Sequence, residues 1–440
     1  MSTDTTAQDF HRKALEERIL LSNEWHARPG LRQPSPMRCS HVVTLRNETT
    51  VAQSRQEFAD FCAKHGVSPP AEGSRQHSVR IGNCQVKWEG HTEAVSHTVM
   101  VPGNGQPPFS ETALDLLDRD KRDALVSDMF IGVSIEVLQP RDVDDPNGYS
   151  LAKSLLGAES LYGGLMSADH AAVWSSFRLD ADGFVRLVVI DLGIPVGRLS
   201  RLLQRLLEME SYRMLAIMAL PRAREAMTAL GELEPQLNRV MAGLRNEPSE
   251  QAQEDALRQI TGIAARVERI ASTHAYRFAA TRAYANIVER RMQEVGENAL
   301  DGHQTYSNFL LRSLLPAMRT CDATERRANE LAQRVSRAAN LLNTMVDMVQ
   351  KKQNQELLTS MAERARLQLR LQQAVEGFSI FAISYYAVGL ISYGLKAAKI
   401  AGVPVDDTLA TGVAAPLVLV SVWLIVRRVR RRLAGQDTLH

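Results

Sequence analysis

The 440-residue chain is poor in the residues that mark several classes of protein. Its four cysteines lie far apart without a CxxC pair, which argues against a zinc knuckle or a disulfide framework and is typical of reduced thiols in the cytosol. Aromatic residues make up only 5%, which favours helix, and 26 glycines and 17 prolines are too few for a low-complexity chain. These scarcities leave an ordinary globular composition.

Charge and catalytic motifs are equally sparse. The formal net charge is +2, which gives no bias toward nucleic acid. The first residues are polar and include Asp4 and Asp9, so we expect no secretory signal. The sequence has no GxGxxG, Walker, HExxH or GxSxG motif. His91 and His97 lie on neighbouring predicted strands, but a metal site needs further ligands. We therefore expect a non-enzyme without a cofactor, and we assign no metal ligands.

Two charge-free runs near the C-terminal end stand out against this background. One lies between Glu376 and Lys396 and the other between Asp407 and Arg427, each 19 residues long. As a helix each run is about 28 Å long, close to the hydrocarbon core of a bilayer. Two buried helices of a soluble core are the alternative, but such helices normally carry a polar face. We predict transmembrane helices at 375–395 and 408–426.

The flanking charges predict the orientation of these spans. Arginines precede the first span and crowd behind the second, whereas the connector 396–407 carries two lysines and two aspartates. The positive-inside rule places both outer flanks in the cytoplasm and the connector outside. The tail 427–440 is then a basic cytoplasmic segment that contacts anionic lipid. Its lipid-facing arginines are Arg427, Arg428, Arg430, Arg431 and Arg432.

A long helix leads into the first span. Pro316 and Pro404 enclose a proline-free stretch, which permits one continuous helix from about Ala317 to Leu395. Part of it has steps of four and three typical of a coiled-coil core. These seam positions are Leu331, Val335, Ala338, Leu342, Met345 and Val349, followed after a polar break by Leu358, Met361, Ala365 and Leu369. The pattern fits an intramolecular helical hairpin, an oligomeric stalk, or both.

The N-terminal half reads differently. Residues 1–37 predict an extended segment, and 38–195 predict a domain of short strands with few helices between them. This pattern indicates an α+β cytoplasmic domain with a largely antiparallel or mixed sheet. Residues 196–374 then form a helical domain and long stalk helices. The predicted fold class is thus an α+β domain, a long coiled-coil-like stalk and a C-terminal transmembrane hairpin.

Several stretches resemble a known family. NEWHARP at Asn23, KWEGHTE at Lys87 and the helical stretch from Gly197 to Arg224 are similar to the signature segments of a bacterial family of uncharacterised membrane-anchored proteins. The similarity extends over nearly the whole chain, including ISYYAVGLISYGLK. It implies membrane anchoring but no activity, ligand or catalytic residue.

The order of segments also resembles the CorA-type metal-ion transporters, which are homopentamers whose first span lines a pore. Their first span closes on a Gly-Met-Asn motif, usually after tyrosine. Here Tyr393 and Gly394 match, but Leu395 and Lys396 replace methionine and asparagine. The lysine would repel cations where the asparagine of those transporters helps to hold one.

Two hypotheses of function follow. In the first, a homo-oligomer in the bacterial inner membrane has an ion-channel or transport role, with a cation as partner. Its pore would be lined by Tyr385, Gly389 and Ser392. Its mouth would be formed by Tyr393, Gly394, Lys396, Asp406 and Asp407. In the second, the hairpin only anchors a scaffold or ligand-binding domain in the lipid bilayer. Two spans and a long stalk exceed what an anchor needs, so the sequence favours the first.

Overall fold

The computed structural model describes residues 31–46, 48–140, 144–246, 249–400 and 406–434, together with Leu15, Arg18 and Ile19. Most of the predicted extended segment 1–37, including Asn23–Pro29, lies outside the described residues. The described chain forms one eight-stranded sheet. Its strands are β1 (Met37–Leu45), β2 (Gln76–Ile81), β3 (Cys84–Gly90), β4 (Ala94–Pro102), β5 (Met129–Leu138), β6 (Tyr162–Met166), β7 (Ala171–Leu179) and β8 (Phe184–Asp191).

The sheet is mixed, as the sequence predicts. Its strand order is β2-β3-β4-β1-β5-β8-β7-β6, and only the central pair β5 and β8 runs parallel. A hairpin joins β7 and β8, and in its turn the Asp180 carboxylate accepts the backbone N–H groups of Asp182 and Phe184. Such an Asx turn is the reason that aspartate and glycine mark this position.

Helices cover both faces of the sheet. One face carries α1 (Glu48–Lys64), α2 (Arg119–Ser127) and α3 (Tyr149–Leu156). The other face carries α4 (Val196–Ile217) and parts of α6 (Glu250–Val295) and α7 (Tyr306–Ile400), with α5 (Ala219–Asn246) following α4. Alternate residues of β1 and β4 face opposite cores, because side chains of a strand point to alternate sides. Both faces of these strands therefore contribute walls to cavities.

Pro316 does not mark the start of the long helix, contrary to the prediction. Helix α7 begins at Tyr306, so Pro316 lies inside it and does not precede it. A proline costs the helix its own N–H bond to the preceding turn. Leu310 and Leu314 are buried on the sheet in that part of α7, and their packing offsets this loss.

The chain divides into two compact units, one up to Ala339 and one from Asn340 onward. The predicted seam runs through both units. Leu331, Val335 and Ala338 are buried in the first unit, where Arg327 and Arg334 of α7 bind Glu234 and Asn238 of α5. This half of the helix therefore packs within the chain on α5. The half at Leu358, Met361 and Leu369 is exposed in the second unit.

The second unit contains the two apolar helices. The stretch of α7 up to Ala397 and the stretch Thr408–Arg428 of α8 (Asp407–Ala434) are each long and apolar enough to cross a membrane. Their most apolar windows have mean hydropathies of 1.6 and 2.3, and only 6% and 0% of those windows is buried. Apolar helices exposed to this extent are uncommon in folded soluble domains, which rarely leave such large patches uncovered.

Candidate functional site

A cavity lies between the sheet and α4, and we call it the α4 cavity. Its cavity volume is about 70 Å³, which is enough for several water molecules. Its apolar wall includes Leu31, Val43, Met100 and Leu207. Its polar groups come from β1, β3, β4, the turn between β3 and β4, and α4. They are His41, Lys87, Glu89, His91, Ser96, Thr98, Ser200, Gln204, Glu208, Ser211 and Tyr212. An apolar pocket with convergent polar groups is the usual form of a small-molecule site.

His41 bridges the sheet and the helix at the centre of this cavity. Its Nδ1 lies 2.8 Å from the Thr98 hydroxyl, and its Nε2 lies 3.0 Å from the Ser211 hydroxyl. Burial lowers the pKa of His41 to about 4, so the ring is neutral at pH 7. This contact resembles a serine–histidine pair, but a threonine hydroxyl stands where a carboxylate would stabilise an imidazolium. The arrangement is better suited to hydrogen bonding than to base catalysis.

Lys87 and Glu89 form an ion pair in the wall, with 2.8 Å between Lys87 Nζ and Glu89 Oε1. Burial alone would raise the pKa of Glu89, but the charge and hydrogen bond of Lys87 outweigh it and hold that pKa below its usual value. The two residues are both charged and neutralise one another. The cavity therefore offers paired charges and neutral hydrogen-bonding groups to a ligand.

Ion pairs fix α6 against the elements around the cavity. Glu208 binds Arg291 of α6, and Arg205 reaches Glu294 at 3.0 Å. At the end of β3, the turn residue Glu93 accepts hydrogen bonds from Arg277 and Tyr284 of α6. These contacts join residues that are far apart in sequence, so the spacing of charges along α4 could not have revealed them. The only signal of this site in the sequence was a helix rich in charged residues together with strands of alternating apolar residues.

The two histidines of the predicted strand pair do not meet in one site. His91 lines the α4 cavity, whereas His97 lines a different cavity on the opposite face of the sheet. Within the described ranges, no group of three histidine, cysteine or acidic residues is placed to hold a metal ion.

The predicted pore residues lie on α7 in the second unit. The side chains of Tyr385 and Tyr393 are exposed, by 77% and 74%. Gly389 and Ser392 are half-buried. Gly394 and Lys396 are exposed. Tyr385, Gly389 and Ser392 follow one another at helical spacing on one side of α7, and their role in a pore stays a prediction.

The residues predicted at the outer mouth and in the tail have local structural roles. Asp406 caps α8, since its Oδ1 accepts the hydroxyl of Thr408 at 2.8 Å and the Thr408 backbone N–H at 3.1 Å. Asp407 begins the helix, and its side chain lies outside the described part. Arg427 lies over the ring of Trp423, 4.9 Å from its centroid. Arg428 is exposed, and the side chains of Arg430, Arg431 and Arg432 lie outside the described residues.

Comparison with known proteins adds a family and nothing further. No curated protein and no solved structure matches the chain. One family model, described as "Protein of unknown function (DUF3422)", matches residues 13–433. That match includes the sheet, the long helices and both apolar segments, so the chain belongs to the DUF3422 family of proteins of unknown function.

Proposed function

We propose that this protein is a two-span membrane protein whose sheet domain binds a small ligand of no net charge in the α4 cavity. The observation that carries the proposal is the cavity itself, with its neutral His41 and its paired Lys87 and Glu89. A ligand with a net charge would leave that charge uncompensated in a largely buried site, which is costly. A neutral or zwitterionic molecule avoids this cost.

The exposed apolar helices support the membrane part. Phe378, Tyr385 and Leu390 are among the most exposed large side chains of the whole chain. Ser384 is only 4% exposed, and the less exposed positions of α7 recur every three or four residues around it. One covered face on an otherwise open helix supports pairing of the two spans into a hairpin.

The expected location is the inner membrane of a bacterium, with both ends in the cytoplasm. The basic residues that flank the spans support this orientation. Arg427 and Arg428 are exposed at the end of the second span, where they reach anionic headgroups.

A second candidate is a CorA-like homo-oligomer that conducts a cation. The observation in its favour is the apolar stripe of α7 at Leu358, Met361 and Leu369, which is exposed in the second unit. In a bilayer every copy would present this stripe at the same height, so further copies could cover it. The hydroxyl-bearing side of the span would then face a shared axis.

Ligand binding is tested by thermal shift. Purified full-length protein in detergent is melted with single amino acids, polyols and betaines, and in parallel as the Ser211→Leu variant, which fills the cavity. We expect at least one neutral or zwitterionic compound to raise Tm in the wild type but not in the variant. A screen in which only net-charged compounds act, or in which the variant responds equally, would sink the proposal.

The two candidates are separated by mass and flux. The pore hypothesis predicts several copies per particle in detergent and cation flux in proteoliposomes, increased in Lys396→Asn. Asp406→Asn preserves the cap of α8 and removes one charge, so reduced flux in this variant would place Asp406 at the mouth. A monomer without flux would leave only the anchored binding protein.

A further inference from the structure

A second cavity lies on the opposite face of the sheet, between α1, α2 and the ends of β1 and β4, and we call it the α1 cavity. Its cavity volume is about 390 Å³, which is far more than the volume of the α4 cavity. Its lining is mostly polar. Its polar and charged residues differ in burial. Ser54 and His97 are buried, Arg46 and Lys121 are half-buried, and Glu57 and Asp128 are exposed.

His97 is the unexplained polar group of this cavity. It is 5% exposed, and among the described residues its buried Nδ1 has no hydrogen-bond partner. Its ring meets Phe58 edge-on, with 6.3 Å between centroids. Buried polar groups without a partner are rare, and a ligand that is missing from the structure is one of the ordinary reasons.

Lys121 supplies a positive charge that no side chain neutralises by direct contact. Its Nζ donates to the backbone carbonyl of Glu57 at 3.1 Å and lies 4.8 Å from the centre of the Phe61 ring. Among the described residues no carboxylate lies within ion-pair distance of it. Its ammonium therefore keeps attraction for an anion that enters the cavity.

The remaining groups favour an anion over a cation. Asp128 is neutralised by Arg46 at 2.6 Å, and Glu57 is exposed to solvent, which screens its charge. The Ser54 hydroxyl accepts the indole N–H of Trp88 at 3.0 Å and so retains its own proton to donate. A ligand that passes the rim meets donors and a cation.

We propose that the α1 cavity is a binding site for a small oxyanion, phosphate or carboxylate, held by Lys121 with hydrogen bonds from His97 and Ser54. The site is separate from the α4 cavity and does not depend on the ligand proposed there.

The test is isothermal titration of inorganic phosphate, and separately of acetate, into the full-length protein in detergent at low ionic strength. Binding of phosphate alone indicates a tetrahedral anion, and binding of acetate alone a planar one. We expect Lys121→Met to weaken binding about tenfold or more, because a charge-assisted hydrogen bond is lost. Lys121→Gln, which keeps a donor without the charge, serves if the methionine variant is poorly folded.

Arg119→Met is the matched control, because Arg119 lies on the same helix but its side chain is 84% exposed. It should bind the anion as the wild type does, and all variants should retain the wild-type Tm without ligand. The proposal is overturned if neither anion binds, or if binding survives both Lys121 substitutions unchanged.

Discussion

Glu210 is a carboxylate with a fully buried side chain, at 0% exposure. Its charge is compensated by Arg213 one turn later, whose Nε lies 2.7 Å from Glu210 Oε2, and by the hydroxyl of Tyr306 at the start of α7. Removing one partner of a buried pair leaves an uncompensated charge, which costs more than the pair contributes when intact. This small network therefore ties α4 to α7.

We expect Arg213→Met to destabilise the sheet domain by about 3 to 5 kcal/mol. The measurement is the Tm of the purified protein, followed by circular dichroism. Arg201→Met on the same helix is the control, because Arg201 is exposed, and its Tm should stay close to that of the wild type. An equal Tm for the two variants would contradict the role given to Glu210.

Glu136 on β5 makes stability depend on pH. Its Oε1 accepts the backbone N–H of Phe109 at 2.9 Å, and burial raises its pKa from 4.5 to about 7 despite the opposing effects of that bond and of Arg38. The folded state holds the proton more tightly than the unfolded state between these two values. Stability from this group is thus present at low pH and is lost as pH rises from 4.5 to about 7.

Glu136→Gln is expected to abolish that loss, because glutamine still accepts the Phe109 N–H but never ionises. At pH 8 the variant should be more stable than the wild type by about 2 kcal/mol, after allowance for partial solvation of the site. At pH 4.5 the two should be nearly equal. Thermal melts of both proteins across this range provide the comparison, and parallel curves would show that Glu136 ionises freely in the folded protein.

At the scale of elements, the two parts of the apolar pattern of α7 lie in different environments. Leu331 is buried, so Leu331→Ala should cost about 2 to 5 kcal/mol. Leu358 is exposed, so Leu358→Ala should leave the Tm of the monomeric protein unchanged. Light scattering of the same two variants measures their oligomeric state. A lower mass for Leu358→Ala alone would indicate that a second copy covers this part of the helix.

Strands and long helices could be predicted because their signals are local. β5 alternates apolar residues at Ile131, Val133 and Ile135, a pattern visible in the sequence itself, and the two apolar helices are visible as charge-free runs. The α4 cavity could not be predicted, since His41 and Ser211 are brought together by the packing of α4 on the sheet. Nor could repetition along α7 tell the buried half from the exposed half, because the spacing of apolar residues is similar in both.

For the whole molecule, the distribution of charge matters more than its sum. The net charge of +2 is nearly neutral, yet five arginines occupy positions 427 to 432 directly after the second span. A basic flank is costly to move across a membrane, so under the proposed function it holds this end of the chain on the cytoplasmic side. Arg427 and Arg428 extend the helix of the span itself, so their placement is coupled to that of the span.

We therefore predict that replacing Arg427, Arg428, Arg430, Arg431 and Arg432 by glutamine weakens or reverses this orientation. In a cysteine-free background, an impermeant maleimide should label Ala397→Cys in intact cells but label Gln353→Cys only after lysis. With the five glutamines, a fraction of Gln353→Cys should become accessible before lysis, because arginines 364, 366 and 370 then hold the first span alone. The control removes the same number of positive charges at positions far along the chain from the spans, and it should leave labelling unchanged. Its five replaced arginines are Arg222, Arg224, Arg239, Arg258 and Arg266. Labelling of Gln353→Cys in intact cells without any arginine replaced would contradict a cytoplasmic stalk.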